Sequence, residues 1–155
     1  MHCTFSCTGH DAAGANPWPT FNSAGFGLNQ FASDGNTPTG LFELDLNSPE
    51  SEPKFYGPYP VNRVVAGLAG NGKWLVPALR YGVLIHTGEW AQYAGWAPPA
   101  PMPNSNGCVH TWPENVHAIW QLLVQHCGVQ VRTNPGGAQP YPFKSQGLLQ
   151  VYHVQ

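Results

Sequence analysis

The sequence predicts a mainly β protein, a sandwich or flattened barrel of mixed strands with one principal α-helix over about 112–127. Three observations predict it. The apolar and alternating runs are short, of strand length rather than helix length. Glycine and proline are dense, 18 and 16 among 155 residues, so turns must be numerous. Only one segment sustains a helical repeat of apolar residues.

Taken in order, residues 1–35 are rich in Gly, Asn, Ser and aromatics and contain Pro17-Trp18-Pro19. They read as an irregular N-terminal segment with one short strand near Phe26–Phe31. Thr39–Leu46 alternates as a strand does, and Asn47–Pro60 is a proline-rich connection. Val61–Leu68 is the next strand. Asn71-Gly72 is a hairpin signal, with Lys73–Pro77 continuing the meander. Gly82–His86 is almost wholly apolar, which suits a buried strand. Thr111-Trp112-Pro113-Glu114 fits a capping box, with Thr111 as N-cap and Glu114 at N3. Behind it Val116, Ile119, Trp120, Leu123 and Val124 recur at helical spacing, and Gly128 is the stop. Val129-Gln130-Val131 alternates like a strand, and Gly147–Val154 offers a last one. No internal repeat or shift in composition divides the chain, so residues 1–155 are expected to form a single domain.

Charge excludes one class of partner. Charged residues are only 9% of the chain, the formal net charge is −2 and no basic run occurs, which argues against nucleic acid. No stretch approaches the roughly 20 apolar residues of a membrane span. Met1–Cys7 has neither the basic start nor the apolar core of a secretory signal peptide.

The chemistry converges on Cys108. It closes Met102-Pro103-Asn104-Ser105-Asn106-Gly107-Cys108-Val109-His110, and upstream an apolar strand ends in a histidine, Tyr81-Gly82-Val83-Leu84-Ile85-His86-Thr87. Thiol attack needs the thiolate, and an imidazole can take the proton. Gly107 leaves room beside the backbone for a substrate carbonyl, and the amides around Cys108 would form an oxyanion hole. The helix starting nearby would lower the thiol pKa if its axis pointed at the sulfur. His110 rivals His86 as base, because Cys108 and His110 share one side of an extended segment.

These segments resemble the L,D-transpeptidase catalytic domain, the YkuD family of peptidoglycan enzymes. That family carries a histidine, a spacer, then Ser/Thr-His-Gly-Cys. Here the histidine is His86 and the block is Ser105-Asn106-Gly107-Cys108. Thr37-Pro38-Thr39-Gly40-Leu41-Phe42 is similar to the family's Thr-Pro-x-Gly-x-Phe strand opening. The likeness runs from about Thr37 to Val131. Asn106 stands where the family usually has His, and His110 where it usually has Arg or Asn.

The resemblance implies an L,D-transpeptidase-like fold and acyl transfer on peptidoglycan stem peptides. Cys108 would be the nucleophile and His86 the base, with Thr87 orienting the imidazole through its backbone carbonyl. Ser105 and Gly107 belong to the catalytic block, and no cofactor is implied. A transpeptidase and a carboxypeptidase share this core. A non-catalytic peptidoglycan-binding module and a wall-degrading hydrolase used in defence or competition are the other readings. A carbapenem would be a covalent inhibitor, and the location would be extracytoplasmic.

Around the core, Trp90, Trp96 and Asn106 are candidates for substrate binding, the two tryptophans either walling a groove or packing the spacer loop. Glu89 would meet a substrate amine or remain a solvated charge. Tyr56, Tyr59 and Arg63 bracket a loop that could overhang the site. Arg80 and Arg132 are candidates for a substrate carboxylate. Cys3 and Cys7 could pair in an oxidising compartment, leaving Cys108 free and Cys127 as a small buried side chain. Metal ligation is the competing chemistry, through His86, Cys108 and His110, or through His2, Cys3, Cys7 and His10. Neither set has the paired Cys-x-x-Cys spacing of common structural sites, so no metal is expected.

Overall fold

The computed structural model describes residues 30, 35–88, 105–134 and 137–152. The strand expected near Phe26–Phe31, the Cys3–Cys7 pairing, the cluster from His2 to His10, Glu89, Trp90 and Trp96 lie outside them. The described elements are β1 (Gly40–Asn47), α1 (Pro53–Tyr56), β2 (Val61–Ala69), α2 (Gly72–Leu75), β3 (Leu84–His86), β4 (Val109–His110), α3 (Pro113–Gln125) and β5 (Gly147–Val151). The five strands form one curled sheet in the order β4-β3-β2-β1-β5. β1 pairs antiparallel with β2 and β5, β2 antiparallel with β3, and β3 parallel with β4. This is the mainly β architecture of mixed strands, with one principal helix, that the sequence predicts.

Strand alternation gives the sheet two unlike faces. Leu44 lies opposite Val64, Phe42 opposite Leu149 and Gly40 opposite Val151. Phe42, Val64, Leu75, Val76 and Val83 close this face into the core, with Leu44, Leu149 and Val151 packed against it. On the other face Asp45 lies opposite Arg63, and Arg63 opposite Leu84. One step along, His86 lies opposite His110. Side chains at i and i+2 share a face, so Asp45, Asn47, Arg63, Leu84, His86 and His110 line one surface. The apolar face supplies the burial that holds the sheet, and the polar face carries the site.

Local expectations fail where tertiary contacts compete with them. Asn71-Gly72 is not a hairpin turn. Asn71 has φ −62° and ψ −35° and leads into α2, whereas the tight hairpin turn needs a left-handed residue there. The Asn71 amide donates to Gln30 Oε1 at 3.2 Å and to Thr39 Oγ1 at 3.3 Å. Gly72 lies against the Phe42 ring so closely that a Cβ would come within 2.1 Å of Cε1. Core packing thus sets this turn. The Pro53–Tyr56 helix within the expected connection escaped sequence reading, as a single turn has no periodicity to show.

The principal helix spans Pro113–Gln125 rather than 112–127, and its N-cap is Trp112, with no side-chain cap hydrogen bond. Thr111 stands one residue before the N-cap, and its amide donates to the His86 carbonyl at 3.0 Å, which continues the sheet. Its hydroxyl accepts from Asn115 Nδ2 at 3.1 Å. Val129–Val131 forms no strand. The chain there makes only an isolated parallel bridge between Asn47 and Arg132. The last strand ends at Val151.

Candidate active site

The parallel pairing of β4 on β3 brings the two motifs together. Ile85 lies opposite Val109 and His86 opposite His110, so Cys108 falls beside Leu84, on the face that His86 occupies. By this register positions 108 and 86 are diagonal neighbours on adjoining strands, on one face of the sheet. The His86 and His110 rings meet edge to face with centroids 4.7 Å apart. The Tyr56 ring, from α1, lies 5.2 Å from His86 on centroids.

His86 is 3% exposed, and its Nδ1 is 2.6 Å from the Thr87 carbonyl. A carbonyl oxygen only accepts, so Nδ1 carries the proton and Nε2 is left as the basic nitrogen. Burial lowers the imidazole pKa to about 4; the Thr87 carbonyl opposes this and the His110 ring adds to it. At neutral pH the ring is uncharged and able to accept a proton.

Cys108 is half-buried and a free thiol. Its Sγ donates to the Gly82 carbonyl at 3.4 Å. Burial pushes its pKa up, against the lowering pull of a Leu84 backbone hydrogen bond and of Arg63 and Arg80. The thiol pKa is thus raised rather than lowered, because desolvation penalises the thiolate more than the nearby positive groups favour it. The pair meets at neutral pH as thiol and neutral imidazole, not as thiolate and imidazolium.

The Ser105–Cys108 turn is pinned from several sides. The Ser105 hydroxyl donates to the Cys108 carbonyl and accepts from the Gly107 amide at 3.2 Å. Thr37 Oγ1 donates to the Gly107 carbonyl at 2.9 Å, which ties the Thr37-Pro38 segment to the nucleophile turn. Asn106 is exposed, and its carbonyl accepts from Arg80 at 3.1 Å.

The arginines occupy places other than those expected. Arg80 is buried against backbone carbonyls and presents no free guanidinium to a substrate carboxylate. Arg132 donates to Gln130 Oε1 at 2.9 Å and lies 5.7 Å from the Phe143 ring centre. Arg63 lies beneath the site rather than on an overhanging loop. Its Nε donates to Asn47 Oδ1 at 2.8 Å, and its Nη2 to Glu50 in a buried ion pair. Tyr59 packs against His117, at 5.0 Å between ring centres, and Trp120.

A polar network missed from sequence continues this row. The Tyr141 hydroxyl donates to Asp45 Oδ2 at 2.6 Å and accepts from Asn47 Nδ2 at 2.7 Å, while Gln146 Nε2 donates to Asp45 Oδ1 at 2.6 Å. Burial and the Asp45 carboxylate push the Tyr141 pKa up to about 12. One signal for it was visible: Arg63 stands within the expected strand Val61–Leu68, and a charge inside a buried strand needs a partner. Among the described residues, no three His, Cys, Asp or Glu side chains are grouped to hold a metal ion.

The model of the L,D-transpeptidase catalytic domain (YkuD) matches residues 11–134, a span containing His86, the Ser105–Cys108 turn and β1 to β4. The chain belongs to this family. No curated protein and no solved structure matches it.

Proposed function

We propose that the protein is a cysteine acyl transferase acting on peptidoglycan stem peptides, as an L,D-transpeptidase or L,D-carboxypeptidase, in a single catalytic domain outside the cytoplasm. The observation that carries this reading is the placement of Cys108 and His86 on one face of the sheet, with His86 Nδ1 held by the Thr87 carbonyl. Cys108 Sγ attacks the carbonyl carbon of an L,D-peptide bond while His86 Nε2 accepts the thiol proton. The C–N bond breaks, the proton passes to the departing amine, and a D-amino acid leaves. The thioester then yields its acyl group to a second amine or to water, with His86 accepting the proton of that nucleophile.

Proton transfer accompanies attack, because at neutral pH both partners start uncharged. His86 is favoured over His110 as base, since its ring is buried and its tautomer is set, whereas His110 is half-buried. The oxyanion rests on the Cys108 amide, as the Gly107 amide is bound to Ser105. Product analysis on purified muropeptides tests the reading. Crosslinked dimers identify a transpeptidase and shortened stems a carboxypeptidase, and Cys108→Ala abolishes either. Activity of Cys108→Ala equal to wild type would remove Cys108 from the mechanism.

A further inference from the structure

Arg80 lies between α2 and β3 and is 2% exposed. Its Nη1 donates to the carbonyls of Gln30 at 2.6 Å and Asn36 at 3.1 Å, and its Nη2 to those of Gly35 at 3.0 Å and Asn106 at 3.1 Å. One guanidinium therefore joins the segment before β1 to the turn that ends in Cys108. A buried cation is costly unless its donors are satisfied, and here the planar fork meets four backbone oxygens. Gly107 completes the fit. Its φ is +102°, and a Cβ there would come within 2.1 Å of Arg80 Nη2 and 3.1 Å of the Gly35 carbonyl. With Thr37 holding the Gly107 carbonyl, two successive carbonyls of the turn are anchored to the same segment.

We propose that Arg80 is a positioning residue for the nucleophile: its fork fixes the Asn106–Gly107 turn that aims Cys108. The geometry is what carries this, and Arg80 also counts among the positive groups that pull the Cys108 pKa down. The role rests on the proposed function for its purpose but not for its test. Lysine would keep the charge without the fork, and methionine would keep neither.

The test is pH-dependent alkylation of Cys108 by iodoacetamide in the full chain, read by peptide mapping to separate Cys108 from Cys127, with a thermal melt of each variant. In Arg80→Met the alkylation midpoint of the folded protein is expected to rise by about one pH unit, which cuts the rate at neutral pH about tenfold. In Arg80→Lys the midpoint is expected to stay near wild type while the limiting rate at high pH changes at least threefold, because the turn has moved. A folded Arg80→Met with both midpoint and limiting rate at wild-type values overturns the proposal. So does a folded Arg80→Lys with both midpoint and limiting rate at wild-type values, and this variant decides the matter if Arg80→Met does not fold. A wild-type chain inactive on stem peptides would sink the proposed function and leave the alkylation result to decide Arg80 alone.

Discussion

His86 brings burial, tautomer and charge together in one side chain. Its folded pKa of about 4 lies below the ordinary histidine value near 6.5. Between those values the unfolded chain binds more protons than the folded one, so stability rises with pH. The contribution is complete above about pH 6.5 and is lost as pH falls towards 4, by roughly 3 kcal/mol in all. Urea unfolding at pH 4.5 and 7 should show that loss in wild type beyond any change in His86→Gln, because glutamine does not titrate. Equal pH dependence in the two proteins would mean that the buried imidazole is protonated in the folded state. Cys108 and His86 stood out as candidates in the sequence because three segments fall in the order the family carries, although neither local pattern is distinctive alone. The roles of Arg63 and Arg80 were not legible there. Each depends on partners far along the chain, Glu50 and Asn47 for one, Gln30, Gly35, Asn36 and Asn106 for the other, and no local spacing encodes them.

Among the elements, the short β4 strand does most to assemble the site, since its parallel register on β3 decides which side chains share a face. A slip of one residue would turn Cys108 and His110 to the opposite face. The turn before β4 is held by contacts that a methyl group tests. Gly82 (φ +72°) has open space where a Cβ would stand, whereas Gly107 (φ +102°) has Arg80 there. Gly82→Ala should cost only left-handed strain, roughly 1–2 kcal/mol. Gly107→Ala should cost about 1–3 kcal/mol more, from the added collision in a packed turn. Urea midpoints of the two variants decide it, and equal losses would mean that the guanidinium yields freely. Long strands such as β1 and β2 were readable from alternation, and α3 from its period. β4 and α1 were not, because two residues or one turn fall below the length at which periodicity exists. The capping signal at Thr111 misled because Thr111 still pairs with His86 and the helix starts one residue later, with Trp112 as N-cap.

Across the whole molecule, one sheet separates two jobs. Phe42, Val64 and Leu75 close the apolar face, and Asp45, Arg63, His86 and Cys108 lie on or beside the polar one. Membership of the L,D-transpeptidase catalytic domain family and this division of faces lead to the same expectation, that Cys108 becomes acylated with His86 as its base. The most direct measurement is intact-mass spectrometry after rapid mixing with a tetrapeptide stem donor or with a carbapenem, on wild type, Cys108→Ala, His86→Gln and His110→Gln. Catalysis by Cys108 with His86 as base requires a covalent acyl adduct on Cys108, absent from Cys108→Ala, and formed roughly 10²–10⁴ times more slowly in His86→Gln. His110→Gln should change the rate only modestly. An adduct that survives in Cys108→Ala, no adduct with either donor, or a rate loss that follows His110→Gln while His86→Gln stays near wild type would contradict it.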